Sequence, residues 1–232
     1  MSKGIAVLLG IILAAPSMAI AGPYIGIGIG GTRTESSLTD LGLFPGPVLP
    51  VPDPTVGPDP NFTGSDDFTS TDVSFDVAAG WMFGRFGIEV GFTDFGSAEQ
   101  RYTLPESCNP SPGGGCQSRD WTAQMEMSGI RAFVVGSVPV SDKIDAYLKL
   151  GAMKWDADYA GYERNQAFVP GPPIAPRYEP VSFSNDDTGL AAAMGVNLRT
   201  DSPFSLRVEF NYYDVDTTDL VWNAQLMGVY TF

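Results

Sequence analysis

Six ionisable residues fall where alternating segments would turn all of them to one side: Asp76, Glu89, Arg131, Lys149, Arg207 and Glu209. Three are acids and three are bases, so their charges cancel. Brought into one interior, such groups must pair or keep water. That leaves two chemistries: a static salt-bridged plug, or a gated narrow conduit in which an arginine swaps between glutamates. The plug is the expectation, because Gly80, Gly91, Gly151 and Gly195 leave room around the longer side chains. The chain has no histidine. This removes Ser-His-Asp and Cys-His catalysis and His-ligated metals. The chain is read as non-enzymatic, with carboxylate-only chemistry the residual route, and no metal or cofactor is expected.

Cys108 and Cys116 are the only cysteines, and Asn-Pro-Ser-Pro-Gly-Gly-Gly separates them. In an exported protein an even cysteine count reads as a disulfide. Pro and Gly between them can turn the chain back to close it. Residues 26–31, Gly-Ile-Gly-Ile-Gly-Gly, match the pattern G-x-G-x-x-G. A dinucleotide site needs a strand before it and a helix after it, and the mature chain offers neither. Acids also crowd the ends of the segments: Asp66, Asp67 and Asp72; Asp156 and Asp158; Asp186 and Asp187; Asp214, Asp216 and Asp219. They read as a solvated rim, the sharper alternative being divalent cations shared with lipopolysaccharide phosphates.

The elements that must position these groups are strands, read from period-2 alternation and turn residues. Eight are expected, at 23–34, 72–83, 86–96, 121–140, 144–159, 184–199, 204–215 and 219–232. One face of each is apolar, as in Ile25, Ile27 and Ile29, or Phe204, Leu206, Val208 and Phe210. The other face is small or charged. Three connections are short (84–85, 141–143, 200–203). Four are longer or more polar (35–71, 97–120, 160–183, 214–218), and the two kinds alternate. The fold class is therefore all-β: an eight-stranded antiparallel transmembrane β-barrel, an up-and-down meander with short periplasmic turns and long extracellular loops. A soluble lipocalin-like barrel would put its apolar face inside. Prolines fill 43–60 and 169–180, which reads as plain surface loop ahead of a proline-recognition motif.

Both ends agree. Lys3, an apolar run from Ile5 to Ala15 and the pattern Ala19-Ile20-Ala21 make a secretory signal over residues 1–21, cut after Ala21. The run is too short for a membrane helix, which needs about 20 residues. Residues 22–232 then form one barrel domain. At the other end Trp222, Ala224, Leu226, Gly228, Tyr230 and Phe232 alternate, and Tyr230 with Phe232 read as an assembly signal for the barrel-assembly machinery. The charge is −14, from 13 Lys+Arg against 27 Asp+Glu, and −15 once Lys3 leaves with the signal. That argues against nucleic acid and against a polybasic membrane-surface mode.

Several stretches resemble the OmpA-like outer-membrane β-barrel family: Gly87-Ile88-Glu89-Val90-Gly91-Phe92-Thr93-Asp94-Phe95-Gly96, Ala146-Tyr147-Leu148-Lys149-Leu150-Gly151, Asp187-Thr188-Gly189-Leu190 through Gly195-Val196, Ser205-Leu206-Arg207-Val208-Glu209-Phe210 and Val229-Tyr230-Thr231-Phe232. The resemblance implies an interior Glu–Arg–Lys network, which Glu89, Lys149, Arg207 and Glu209 fit. It departs in one respect: no peptidoglycan-binding domain follows, so a cell-wall-tethering role is not carried over. The expected location is the outer membrane of a Gram-negative bacterium, among its lipid and lipopolysaccharide. The expected role is structural or surface-interacting, with a host or surface ligand at the loops. The alternative is a narrow channel for small or hydrophobic solutes, resembling the OmpW family.

Overall fold

In the computed structural model, residues 22–38, 40–43, 67–108, 116–165 and 180–232 are described. The signal region 1–21, Asp66 and most of the proline-rich stretches lie outside them. Eight antiparallel strands form a closed ring in sequence order: β1 (Gly22–Ser37), β2 (Asp67–Phe83), β3 (Phe86–Cys108), β4 (Cys116–Ser141), β5 (Ile144–Asn165), β6 (Val181–Arg199), β7 (Phe204–Tyr213) and β8 (Leu220–Thr231). The ring closes where β8 pairs with β1, Tyr24 opposite Thr231 and Glu35 opposite Leu220. Closure leaves no edge along the paired length. The β2–β3 link is the two-residue turn Gly84-Arg85, and Gly84 supplies the positive φ (+79°) that so tight a hairpin needs.

Alternation decides the faces. Ile27, Ile29, Phe86, Val134, Leu150, Leu190 and Phe204 are each more than half exposed, whereas Asp76, Glu89, Arg131, Lys149 and Glu209 are buried. A soluble barrel would invert this arrangement, so the lipocalin-like reading falls. Exposed apolar surface on this scale needs a cover of its own kind, and a lipid-facing belt supplies it. Near the turn end Phe204, Tyr230 and Phe232 form an aromatic group with ring centroids 5.0 Å apart along the row.

Two expectations about the loop end are corrected. Residues 97–108 and 116–120 are strand and not loop. β3 runs to Cys108 and β4 starts at Cys116, and the register sets these two cysteines opposite each other. Likewise β5 continues to Asn165 and β6 begins at Val181. Proline is sparse in these extensions, so the hydrogen-bond ladder is free to continue through them. β7 stops earlier than expected, at Tyr213.

A bulge in β3 explains why sequence reading halted near Gly96. The register shifts between Asp94 and Ser97, and Gly96 takes φ +80°. The Asp94 carboxylate accepts from Gly96 N (2.9 Å), and the Asp72 carboxylate accepts from Ser97 N (2.5 Å). The buried face therefore changes parity, from Thr93 and Phe95 to Ala98 and Tyr102. A strict period of two breaks there, as one extra residue must make it. Beyond the bulge β3 leaves the β2 ladder, and the Gln100 amide bridges the gap, donating to Asp67 O (3.0 Å) and accepting from Thr69 N (2.6 Å).

Candidate functional site

The lumen is the candidate site, and it has three levels. At the turn end lies a cavity of about 50 Å³, lined among others by Tyr24, Asp145, Tyr147, Asn197, Ser205 and Arg207. Ser205 Oγ, Asn197 Oδ1 and Arg207 Nε are buried without a hydrogen-bond partner among the described residues. A water needs about 10–15 Å³ and two to four polar partners. This vestibule therefore has room and chemistry for a few waters and little else.

Above it the six charges meet, and inward-facing positions on five strands, β2, β3, β4, β5 and β7, deliver them. Glu89 on β3 is the hub. One oxygen accepts from Lys149 Nζ (2.7 Å); the other accepts from Arg207 Nη1 (2.8 Å) and from the Tyr24 hydroxyl (2.7 Å). Arg131 Nη2 lies 3.7 Å from the first oxygen. Lys149 Nζ also reaches Glu209 Oε2 at 2.5 Å. Glu209 accepts further from Tyr147 (2.8 Å) and Gln225 (3.1 Å). Arg131 holds Asp76 as a two-pronged pair, Nη1 to Oδ2 at 2.6 Å and Nη2 to Oδ1 at 2.7 Å. Thr93 donates to Asp76 (2.7 Å), and Arg131 Nη1 donates to the Tyr213 hydroxyl (3.0 Å).

The six residues named from sequence thus form one connected cluster. Sequence reading missed the neutral members Tyr24, Thr93, Tyr147, Tyr213 and Gln225. For three of them the signal was present: Thr93, Tyr147 and Tyr213 share strand and parity with Glu89, Lys149 and Glu209, whereas Tyr24 on β1 and Gln225 on β8 have no named charge on their strands. The Arg207 guanidinium is also clamped between the Tyr24 and Tyr147 rings, 5.0 Å from each centroid. Every carboxylate here faces at least one cation, which is the condition for keeping ions in a dry interior.

The third level was not foreseen. Past the ionic layer the lumen becomes apolar. Phe68, Phe95, Trp121, Met125, Met153, Trp155, Tyr159 and Val221 form one buried cluster with Leu38, Leu41 and Leu43. The connected ionic cluster therefore lies in the middle of the lumen and not at its outer end.

The rim acids fall into separate places, with Asp156 and Asp158 sharing one open pocket with Asp94 and Glu126. Asp72 caps the bulge, and Asp67 lies on β2. Asp214, Asp216 and Asp219 lie on the β7–β8 connection. On the outer face of the extension Asp156 stands opposite Asp186, and Glu126 opposite Asp158. Among the described residues, no group of three or more acids or cysteines is placed to hold a metal ion.

A family model described as outer membrane protein beta-barrel domain matches residues 4–232. No curated protein matches the chain. Solved structures resemble it at low identity. Ail, the attachment invasion locus protein of Yersinia pestis, is 14% identical, with 91% of this chain and 99% of that chain covered and a TM-score of 0.45. Neisserial surface protein A is 12% identical, with 91% and 98% covered and a TM-score of 0.47. The N-terminal barrel domain of Pseudomonas aeruginosa OprF is 7% identical, with 89% and 97% covered and a TM-score of 0.39.

Proposed function

The chain belongs to the family of outer membrane protein β-barrel domains, and from that premise we propose that it is a non-enzymatic surface-interaction protein with a closed lumen. The carrying observation is the filled interior. An ionic layer and an apolar layer occupy it in series, and the vestibule of about 50 Å³ is a dead end. With the lumen filled among the described residues, the working surface in this reading is the outer end, where β3, β4, β5 and β6 are lengthened beyond the apolar belt. Its partners are a host or surface ligand at the strand tips, lipid around the belt and lipopolysaccharide at the rim. Residues 1–21 serve as the export signal, cut near Ala21, and assembly proceeds through the barrel-assembly machinery.

The test is to replace 44–66, 109–115 and 166–180 by short turns in cells carrying the protein. The barrel should still assemble, binding to host-cell surfaces should fall, and small-solute uptake should not change. Retained adhesion with lost uptake would favour a narrow channel instead.

A disulfide between Cys108 and Cys116 would pin the β3–β4 hairpin at its tip. Closing so short a loop contributes about 2–3 kcal/mol in the chain-entropy account. Thiol labelling of the folded protein should then require prior reduction. Labelling without reductant would show two free thiols.

A further inference from the structure

The apolar end of the lumen is closed by a piece of chain that belongs to no strand. After β1 the backbone turns inward: Leu41 N donates to Ser37 O (3.0 Å) and Leu43 N to Leu38 O (2.9 Å). Asp40 N donates to Ser37 Oγ (3.0 Å), which caps the turn, and Gly42 takes φ +68°. The turn is amphipathic. Leu38, Leu41 and Leu43 are 0–2% exposed, while Asp40 and Gly42 face solvent. The wall reaches its backbone through the Trp121 indole, which donates to Leu43 O at 2.9 Å.

The wall beside this turn is incomplete. β7 ends at Tyr213, opposite Ala191, yet β6 continues outward to Val181. Phe183, Asn185 and Asp187 lie on the inner face of β6, opposite Tyr159, Ala157 and Trp155 of β5. The β5 residues are 0–1% exposed, whereas the three on β6 are exposed. Among the described residues the upper lumen is therefore open at its side along β6. Gly42 sits at that opening: a Cβ there would come 3.2 Å from the Phe183 ring.

We propose that Leu38, Leu41 and Leu43 are a built-in stopper seated in an apolar ligand site. The site takes a neutral, hydrocarbon-rich small molecule bearing one hydrogen-bond acceptor. The ligand enters along the β6 opening as the turn swings out. The lining supports that class. It is aromatic and methionine-rich, and methionine repacks around differing shapes. A mostly apolar cavity with one placed donor is the usual form of a small-molecule site, and the donor is the Trp121 N–H, whose acceptor in the seated turn is Leu43 O. Asp187, on the inner face at the opening opposite Trp155, disfavours an anionic ligand. The site ends below at the ionic layer, so it holds its ligand rather than passing it through. It does not depend on the surface role proposed above.

The experiment uses the full mature chain in lipid nanodiscs, with N-phenyl-1-naphthylamine as a neutral aromatic probe and energy transfer from Trp121 and Trp155 as the readout. Saturable binding is expected in the native protein, and Leu41→Ser should tighten it about tenfold by raising the open fraction. A second variant pins the turn: Gly42→Cys with Phe183→Cys, in a Cys108→Ser/Cys116→Ser background, joined by a short reducible cross-linker. Cross-linking should abolish binding, and reduction should restore it. Absence of saturable binding in both the native protein and Leu41→Ser would overturn the proposal, as would binding indifferent to the cross-link. Amide exchange of the native protein gives a check that needs no variant. Leu41 and Leu43 should exchange about a hundredfold faster than the amides of β4 at Met125 and Met127, and equal protection would also overturn it.

Discussion

Replacing Glu89 by alanine is expected to lower the unfolding free energy of the barrel by about 3–5 kcal/mol, the usual cost of removing one member of a buried ion pair. Glu89 is the acid shared most widely, taking Lys149, Arg207 and Tyr24 on its two oxygens with Arg131 nearby. Without it, three buried cations face only Asp76 and Glu209, and a positive charge is left uncompensated in a dry layer. The check is urea unfolding in phospholipid vesicles followed by tryptophan fluorescence. Glu89→Ala combined with Lys149→Met restores the balance of two acids and two bases, so the pair should recover much of the loss as a positive coupling. The exposed pair Lys143–Asp201, 3.4 Å apart with side chains 67% and 91% exposed, is the contrast. Removing Asp201 should leave stability unchanged within error. Equal losses at Glu89 and Asp201 would mean that the inner layer carries no special burden.

The second large effect is expected at Gly195. A Cβ there would run into the Val208 carbonyl oxygen, which is backbone, and into the Tyr147 hydroxyl, 2.5 Å away. Tyr147 cannot swing aside freely, because its hydroxyl is bound to Glu209 at 2.8 Å. Gly195→Leu must therefore part β6 from β7 or unseat Tyr147 from the ionic layer. A cost of about 3 kcal/mol or more is expected, at the high end for overpacking because one obstacle is main chain. Most of the variant should fail to give the compact, heat-modifiable band of a folded barrel on a cold detergent gel. Gly228→Ala is the control, since a Cβ at Gly228 meets nothing within 4 Å. Normal folding of Gly195→Leu would show that the β6–β7 wall yields more than its packing implies.

Much of this architecture is legible in the sequence, for a physical reason. A lipid-facing strand must alternate strictly, because one face meets hydrocarbon and the other a narrow lumen. Phe204 to Glu209 carries that rule without a break, as do Ile144 to Leu150, and both strands start where alternation placed them. The same rule delivered all six lumen charges. It lost its hold where an extra residue entered the ladder. At Gly96 the parity flips, so alternation read with one phase stops there, and the extension to Cys108 was taken for loop. Above the belt both faces meet water or core, and the lipid constraint that sharpens the pattern is gone. Leu38, Leu41 and Leu43 show a third limit. Nothing in their spacing reveals that a turn folds back into the mouth, because that depends on the space between Trp121, Trp155 and Phe68, far away in sequence.

The closed lumen is the central claim, and ion flow through single proteins in a planar lipid bilayer tests it most directly. The native chain should show no stable open level, and Glu89→Ala should show none either, because the apolar layer still closes the path above the weakened ionic one. A large, steady conductance from the native protein would contradict the account outright.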